Sequence, residues 1–134
     1  MSEAPPDGAP QIRATAMAAD ANPYGTIFVG WLMGQMALAA GSLASRHCRG
    51  RAPVVAADGF AFAAPVVIGD EVSCYARLVT QGRSSMTIAV DAWRRERHGE
   101  TTQRAATGSF TLVAMTPDGH PRPVNGENRV DGRD

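Results

Sequence analysis

From Ala21 to Ser45 the chain carries no Lys, Arg, Asp or Glu. The first part of that stretch, Asn22-Pro23-Tyr24-Gly25-Thr26, is turn chemistry, because Asn, Pro and Gly favour backbone conformations that a helix does not use. The spacing then predicts a helix from about Gly30 to Arg46. Trp31, Leu32, Met33, Met36, Leu38 and Leu43 leave it no polar stripe, so it must be wrapped by other elements rather than lie on the surface with one wet face. The stretch approaches the roughly 20 apolar residues that span a bilayer. The leading turn, together with Gln35 and the glycines at 30, 34 and 41, favours a buried helix instead.

The pattern then changes to strands: Val54 to Ala64, Glu71 to Gln81, Ser85 to Arg95 and Thr101 to Met115, with a shorter extended segment, Ile12 to Ala18, before the helix. The third long run alternates, with Met86, Ile88, Val90 and Ala92 on one face and Thr87, Ala89, Asp91 and Trp93 on the other. The breaks Gln81-Gly82-Arg83 and His98-Gly99 suit an antiparallel meander, since no second long helix is available for parallel crossovers. The expected fold class is α+β: an antiparallel sheet of about five strands wrapped round one central apolar helix. Its open edges, and apolar groups on its outer face, predict pairing of two copies.

At 134 residues the chain is the size of one ordinary domain. Residues 1–11, rich in Pro and Ala, read as a flexible tail and not as a secretory signal; 12–124 read as the domain, and 125–134 as a second tail. Acidic and basic residues balance at 13 each, so no nucleic-acid or membrane partner is indicated and a small molecule or another protein is expected. Cys48 and Cys74 show no ligand or redox spacing, which argues against a disulfide framework or a metal site and for a reducing, cytoplasmic setting. His47, His98 and His120 have no metal-ligand or nucleophile context and read as loop residues.

Several strings resemble the hot-dog acyl-CoA thioesterases, in particular the bacterial YciA-type family. They are the run from Met17 through Asp20-Ala21-Asn22-Pro23-Tyr24-Gly25-Thr26-Ile27-Phe28-Val29-Gly30-Trp31 to Met36; Asp58-Gly59-Phe60-Ala61-Phe62 with Pro65-Val66; Gly69-Asp70 followed by Cys74-Tyr75-Ala76-Arg77; and Pro117-Asp118-Gly119-His120-Pro121-Arg122-Pro123. The resemblance implies a hot-dog fold and hydrolysis of an acyl-CoA thioester. It also implies active sites shared across a homodimer, with a trimer of dimers as the larger assembly, and no cofactor beyond the coenzyme A of the substrate. Such enzymes hold the thioester carbonyl near backbone N–H groups at the start of the central helix, here Phe28-Val29-Gly30-Trp31, where the helix dipole favours negative charge.

The family's Asp after the turn glycine is replaced by Thr26, and a second common Asp by Ala37. A Thr hydroxyl can hold a water but is no general base near neutral pH. Asp58, which the resemblance puts on the strand facing the helix, is the nearest substitute; a structural carboxylate is its plainer reading. Val29 stands where the family usually has a first glycine and is expected to crowd the approach to the acyl group. Asn22 and Gly25 are candidates for shaping the mouth, or simply good turn residues, and Gln35 is a candidate for facing the acyl pocket or another subunit. Arg83-Ser84-Ser85 resembles the segment near the coenzyme A phosphates, with an ordinary hairpin turn as the alternative, and Arg104 is a weaker phosphate candidate. Two functions remain open: a thioesterase with altered catalysis, and an acyl-CoA-binding protein without turnover acting as a sensor or assembly component. A hydratase on the same fold would want an Asp/His pair beside the helix, and none is visible.

Overall fold

The computed structural model describes residues 3–126. In chain order it forms β1 (Ile12–Thr15), a short 3-10 turn (Ala18–Asp20), α1 (Val29–Cys48), β2 (Val54–Phe62), β3 (Glu71–Gln81), β4 (Ser85–Arg95) and β5 (Thr102–Val113). All strand pairs are antiparallel, in the order β1-β3-β4-β5-β2, and α1 lies on the inner face of this sheet, chiefly over β3 and β4. This is the hot-dog arrangement. The alternation read in β4 holds: Met86, Ile88, Val90 and Ala92 are buried against the helix.

The helix is longer than the sequence pattern indicates. It runs through His47 to Cys48 and ends where Arg49 turns left-handed (φ 56°), its N–H reaching back to the Ser45 carbonyl. His47 is therefore a helical residue, not a loop residue, and its Nε2 lies 2.7 Å from Gln81 Oε1. Nor does one sheet wrap the whole helix. Leu32, Met36, Ala39, Ala40, Ala44 and Cys48 are buried, but Leu38 is 58% exposed and Gly34 and Ser42 are open. A single sheet layer covers one side of a helix, so the opposite apolar side stays bare within one chain. No helix among the described residues is long and apolar enough to cross a membrane.

Two segments outside the strands are held in place. Residues 3–11, read as a tail, cross the outer face of the sheet, where Glu3 pairs with Arg104 at 2.7 Å and Gln11 Oε1 accepts the Ala76 N–H at 2.6 Å. At the other end Val124 is buried. The tail expected from 125 onward lies, beyond residue 126, outside the described residues.

β2 is an edge strand and is irregular, with register shifts on both sides of Asp58 and a left-handed Gly59 (φ 65°). The irregularity lets Phe60 lie across β5, where its ring meets Phe110 edge-on at 5.3 Å. A Cβ at Gly108 would collide with the Phe60 ring. Gly108→Ala is therefore expected to cost about 1–3 kcal/mol through overpacking, measured by urea unfolding. An unchanged midpoint would mean that the ring moves aside freely.

Candidate active site

The mouth of α1 is built by the segment before it. Ala21 and Ile27 form an antiparallel bridge, closed by Asn22 N–H to the Thr26 carbonyl at 2.7 Å and Phe28 N–H to the Asp20 carbonyl at 2.8 Å. Gly25 takes φ 89°, which a glycine adopts without strain. Ile27 is buried, and its N–H donates to the Val66 carbonyl at 2.8 Å, so the loop before β3 anchors the helix entry.

Asn22 sets the polarity of this turn. Its Oδ1 accepts the N–H groups of Tyr24 (2.8 Å) and Thr26 (3.1 Å), which directs its Nδ2 onto Thr26 Oγ1 at 2.8 Å. An amide nitrogen only donates, so the Thr26 oxygen is the acceptor and its own proton is left to give. Thr26 is thus a half-buried donor at the helix mouth, and among the described residues no group takes a proton from it.

The helix starts without a side-chain cap, because its N-cap residue, Phe28, has no polar atom to offer. Trp31 and Leu32 N–H reach the Phe28 carbonyl, while the Val29 and Gly30 N–H groups have no acceptor among the described residues. Both residues are exposed. The Phe28 ring folds over Gly30, where a Cβ would collide with it. The half-buried Trp31 packs on the core, and Gln35, one turn further, is half-buried and makes no side-chain hydrogen bond among the described residues.

Asn22, Gly25, Thr26, Val29, Gly30 and Trp31 are thus brought together, and the other candidates are not. Asp58 corrects an expectation: β2 sits at the sheet edge beyond β5, not facing the helix of its own chain. Asp58 pairs in register with Ser109, is exposed, and makes no hydrogen bond or ion pair among the described residues. Arg83, Ser84 and Ser85 lie at the β3–β4 turn, at the far end of α1, a helix about 30 Å long at 1.5 Å per residue. There the Arg83 and Ser84 carbonyls accept the N–H groups of Val124 and Ala114, both at 2.8 Å. Arg104 lies on the outer face, paired with Glu3.

Sequence reasoning missed two buried charges. Asp70, 1% exposed, binds Arg94 Nε at 2.6 Å and accepts the Val67 N–H at 2.9 Å, so it holds the loop that receives Ile27. The string Gly69-Asp70 was its signal, without a role attached. Arg122, 2% exposed, donates to the carbonyls of Cys48, Met115, Pro123 and Val124. Burial pushes the Cys74 thiol up to about 12, so it stays protonated at neutral pH and is no nucleophile. Among the described residues no His, Cys, Asp or Glu group gathers that could hold a metal ion.

Comparison with known proteins places this geometry. The thioesterase superfamily model matches residues 24–101, which take in Thr26 and the start of α1, the rest of that helix and β2 through β4. An uncharacterized acyl-CoA thioester hydrolase of Zymomonas mobilis is 52% identical over 119 residues, covering 89% of this chain and 80% of the relative. The acyl-CoA thioester hydrolase YciA of Salmonella typhimurium is 40% identical over 122 residues, 89% of this chain and 92% of the relative. Among solved structures, a hexameric hotdog fold thioesterase of Campylobacter jejuni superposes with a TM-score of 0.82 at 31% identity, covering 87% of this chain and 90% of that one. With the family model matching more than half of its length, the chain belongs to the thioesterase superfamily.

Proposed function

We propose that this protein hydrolyses acyl-CoA thioesters to a free carboxylic acid and coenzyme A. The observation that carries the reading is the uncapped start of α1, where the Val29 and Gly30 N–H groups are unclaimed beside the Thr26 hydroxyl. The thioester carbonyl oxygen gains negative charge as water attacks its carbon, and donors fixed in advance at a helix N-terminus stabilise that charge more than the neutral ground state. Asn22 and Gly25 shape this mouth, Val29 and Trp31 border it, and Gln35 lies one turn along the helix toward the acyl chain. The relatives named above, all hydrolases or thioesterases by name, support the same reaction and do not favour binding without turnover.

All three groups at the mouth are donors, so the proton of the attacking water needs a separate acceptor. Asp58 fills that role in this reading. It lies on an exposed edge strand and has no partner among the described residues of its own chain, which suits a carboxylate contributed to the helix mouth of a second copy. The assembly is a homo-oligomer, a dimer at least; the hexameric relative and the bare side of α1 support the larger trimer of dimers. Arg83, Ser84 and Ser85, a helix length from Thr26 in one chain, are the proposed contacts for the coenzyme A phosphates of a site completed by a neighbour, with Arg104 a lesser one. The balanced charge and the two reduced cysteines suit a cytoplasmic protein.

The test is thiol release from short, medium and long acyl-CoAs by the purified protein. Asp58→Ala is expected to lower kcat/KM at least about a hundredfold, the lower end of general-base contributions, with an unchanged unfolding midpoint. Wild-type protein that binds acyl-CoA without releasing thiol, beside an active Thr26→Asp variant, would replace this reading with a binding function.

A further inference from the structure

Phe28 stands at the helix mouth with a ring that the fold does not account for. Its backbone is fixed on both sides: the N–H donates to the Asp20 carbonyl at 2.8 Å, and the carbonyl accepts the Trp31 N–H at 3.0 Å and the Leu32 N–H at 3.4 Å. The side chain is 55% exposed and offers α1 no polar cap. Among the described residues it takes no place in the core and pairs with no other ring. Hydrophobic stabilisation follows the area removed from water, so a ring left this exposed contributes little to folding.

Its placement is nevertheless specific. A Cβ on Gly30 would lie 2.4 Å from Phe28 Cε2, 3.0 Å from Cδ2 and 3.3 Å from Cζ, so the ring edge fills the space that a side chain at position 30 would take. In an α-helix the Cα–Cβ bond tilts toward the N-terminus, the direction in which the first N–H groups also point. The ring edge therefore stands on the mouth side of Gly30, beside its unclaimed N–H. Only a residue without a Cβ lets an aromatic group come so close to that donor.

We infer that Phe28 is a positioning residue for the hydrolysis proposed above: its ring walls one side of the Gly30 N–H and keeps water from it there, so that the thioester carbonyl oxygen is the acceptor this donor meets. The inference rests on that reaction. A donor open to water is already hydrogen-bonded to solvent, whereas beside a hydrocarbon wall the local dielectric is lower and the bond to a developing oxyanion is stronger. The gain is larger for the charged transition state than for the neutral thioester, so it falls on kcat rather than on KM. The ring itself moves no proton and forms no bond.

Phe28→Ala should lower kcat for acyl-CoA hydrolysis at least about tenfold, a part of the about 10²–10³-fold lost when an oxyanion donor is removed outright. KM should change little, and the unfolding midpoint should stay close to that of wild type. Phe28→Leu, which restores an apolar wall without the ring, should recover part of the loss. Gly30→Ala supplies a methyl group that swings the ring aside, and it should lower kcat in the same way. The two losses then share one cause, so the double variant Phe28→Ala/Gly30→Ala should turn over about as fast as the single variants, not at the product of their losses. Wild-type protein that releases no thiol from any acyl-CoA overturns the reaction and the inference with it. With an active wild type, the inference alone is overturned if Phe28→Ala turns over as fast, if its defect lies in KM with kcat unchanged, or if the double variant shows the full product of the two losses.

Discussion

Asp70→Ala is expected to cost about 3–5 kcal/mol of folding stability, the range for removing one partner of a buried ion pair. Asp70 is almost wholly enclosed, while Arg94 keeps some access to water, so the larger loss comes from what the carboxylate holds rather than from a stranded cation. Its two oxygens receive Arg94 Nε at 2.6 Å, Arg94 Nη2 at 3.3 Å and the Val67 N–H at 2.9 Å. Its backbone also exchanges with Ala16 and Val67. The loop so fixed presents the Val66 carbonyl to Ile27, so the variant should also loosen the entry to α1 and lower turnover more than its stability loss alone explains. Urea unfolding at several protein concentrations gives the first quantity, and thiol release well below the unfolding midpoint gives the second. A cost under about 1 kcal/mol, the size of an exposed pair, would show that the interior pairing is not maintained in solution.

Arg122→Met should be nearly as damaging, at about 3 kcal/mol or more. Among the described residues the guanidinium has no carboxylate partner; it meets carbonyl dipoles, those of Cys48 at 2.9 Å, Pro123 at 3.0 Å, Met115 at 3.2 Å and Val124 at 3.3 Å. Cys48 is the last residue of α1, so the cation also meets the negative end of the helix dipole. Met keeps much of the volume but leaves these carbonyls to find other donors in a dry site, at about 1–3 kcal/mol for each that fails. Arg122→Lys should recover only part of the loss, since a single ammonium cannot reach acceptors spread round a planar fork. Equal stability of the Lys variant and wild type would show that charge alone matters there and the fork geometry does not.

Local pattern carried the elements well. The charge-free run announced α1, the period-two alternation announced β4, and Asn22-Pro23-Tyr24-Gly25-Thr26 announced the turn whose hydrogen bonds now define the helix mouth. These features depend on neighbours a few residues apart, where periodicity and turn chemistry act. The helix end slipped by two residues because a left-handed Arg49, and not a glycine, closes it.

Long-range relations were not legible. Asp58 looked like a neighbour of the helix until the strand order put β2 at the edge, and nothing in the spacing told that Arg83, a phosphate candidate, lies a whole helix length from Thr26. Arg122 and Cys48 are 74 residues apart, and Ser73 and Trp93 meet only through the β3–β4 register. By itself the sequence determined the elements, the family and the absence of a carboxylate at position 26. Only the tertiary structure decided which of those residues share a site, because strand order and register are settled by burial summed over the whole sheet, and no local spacing encodes them.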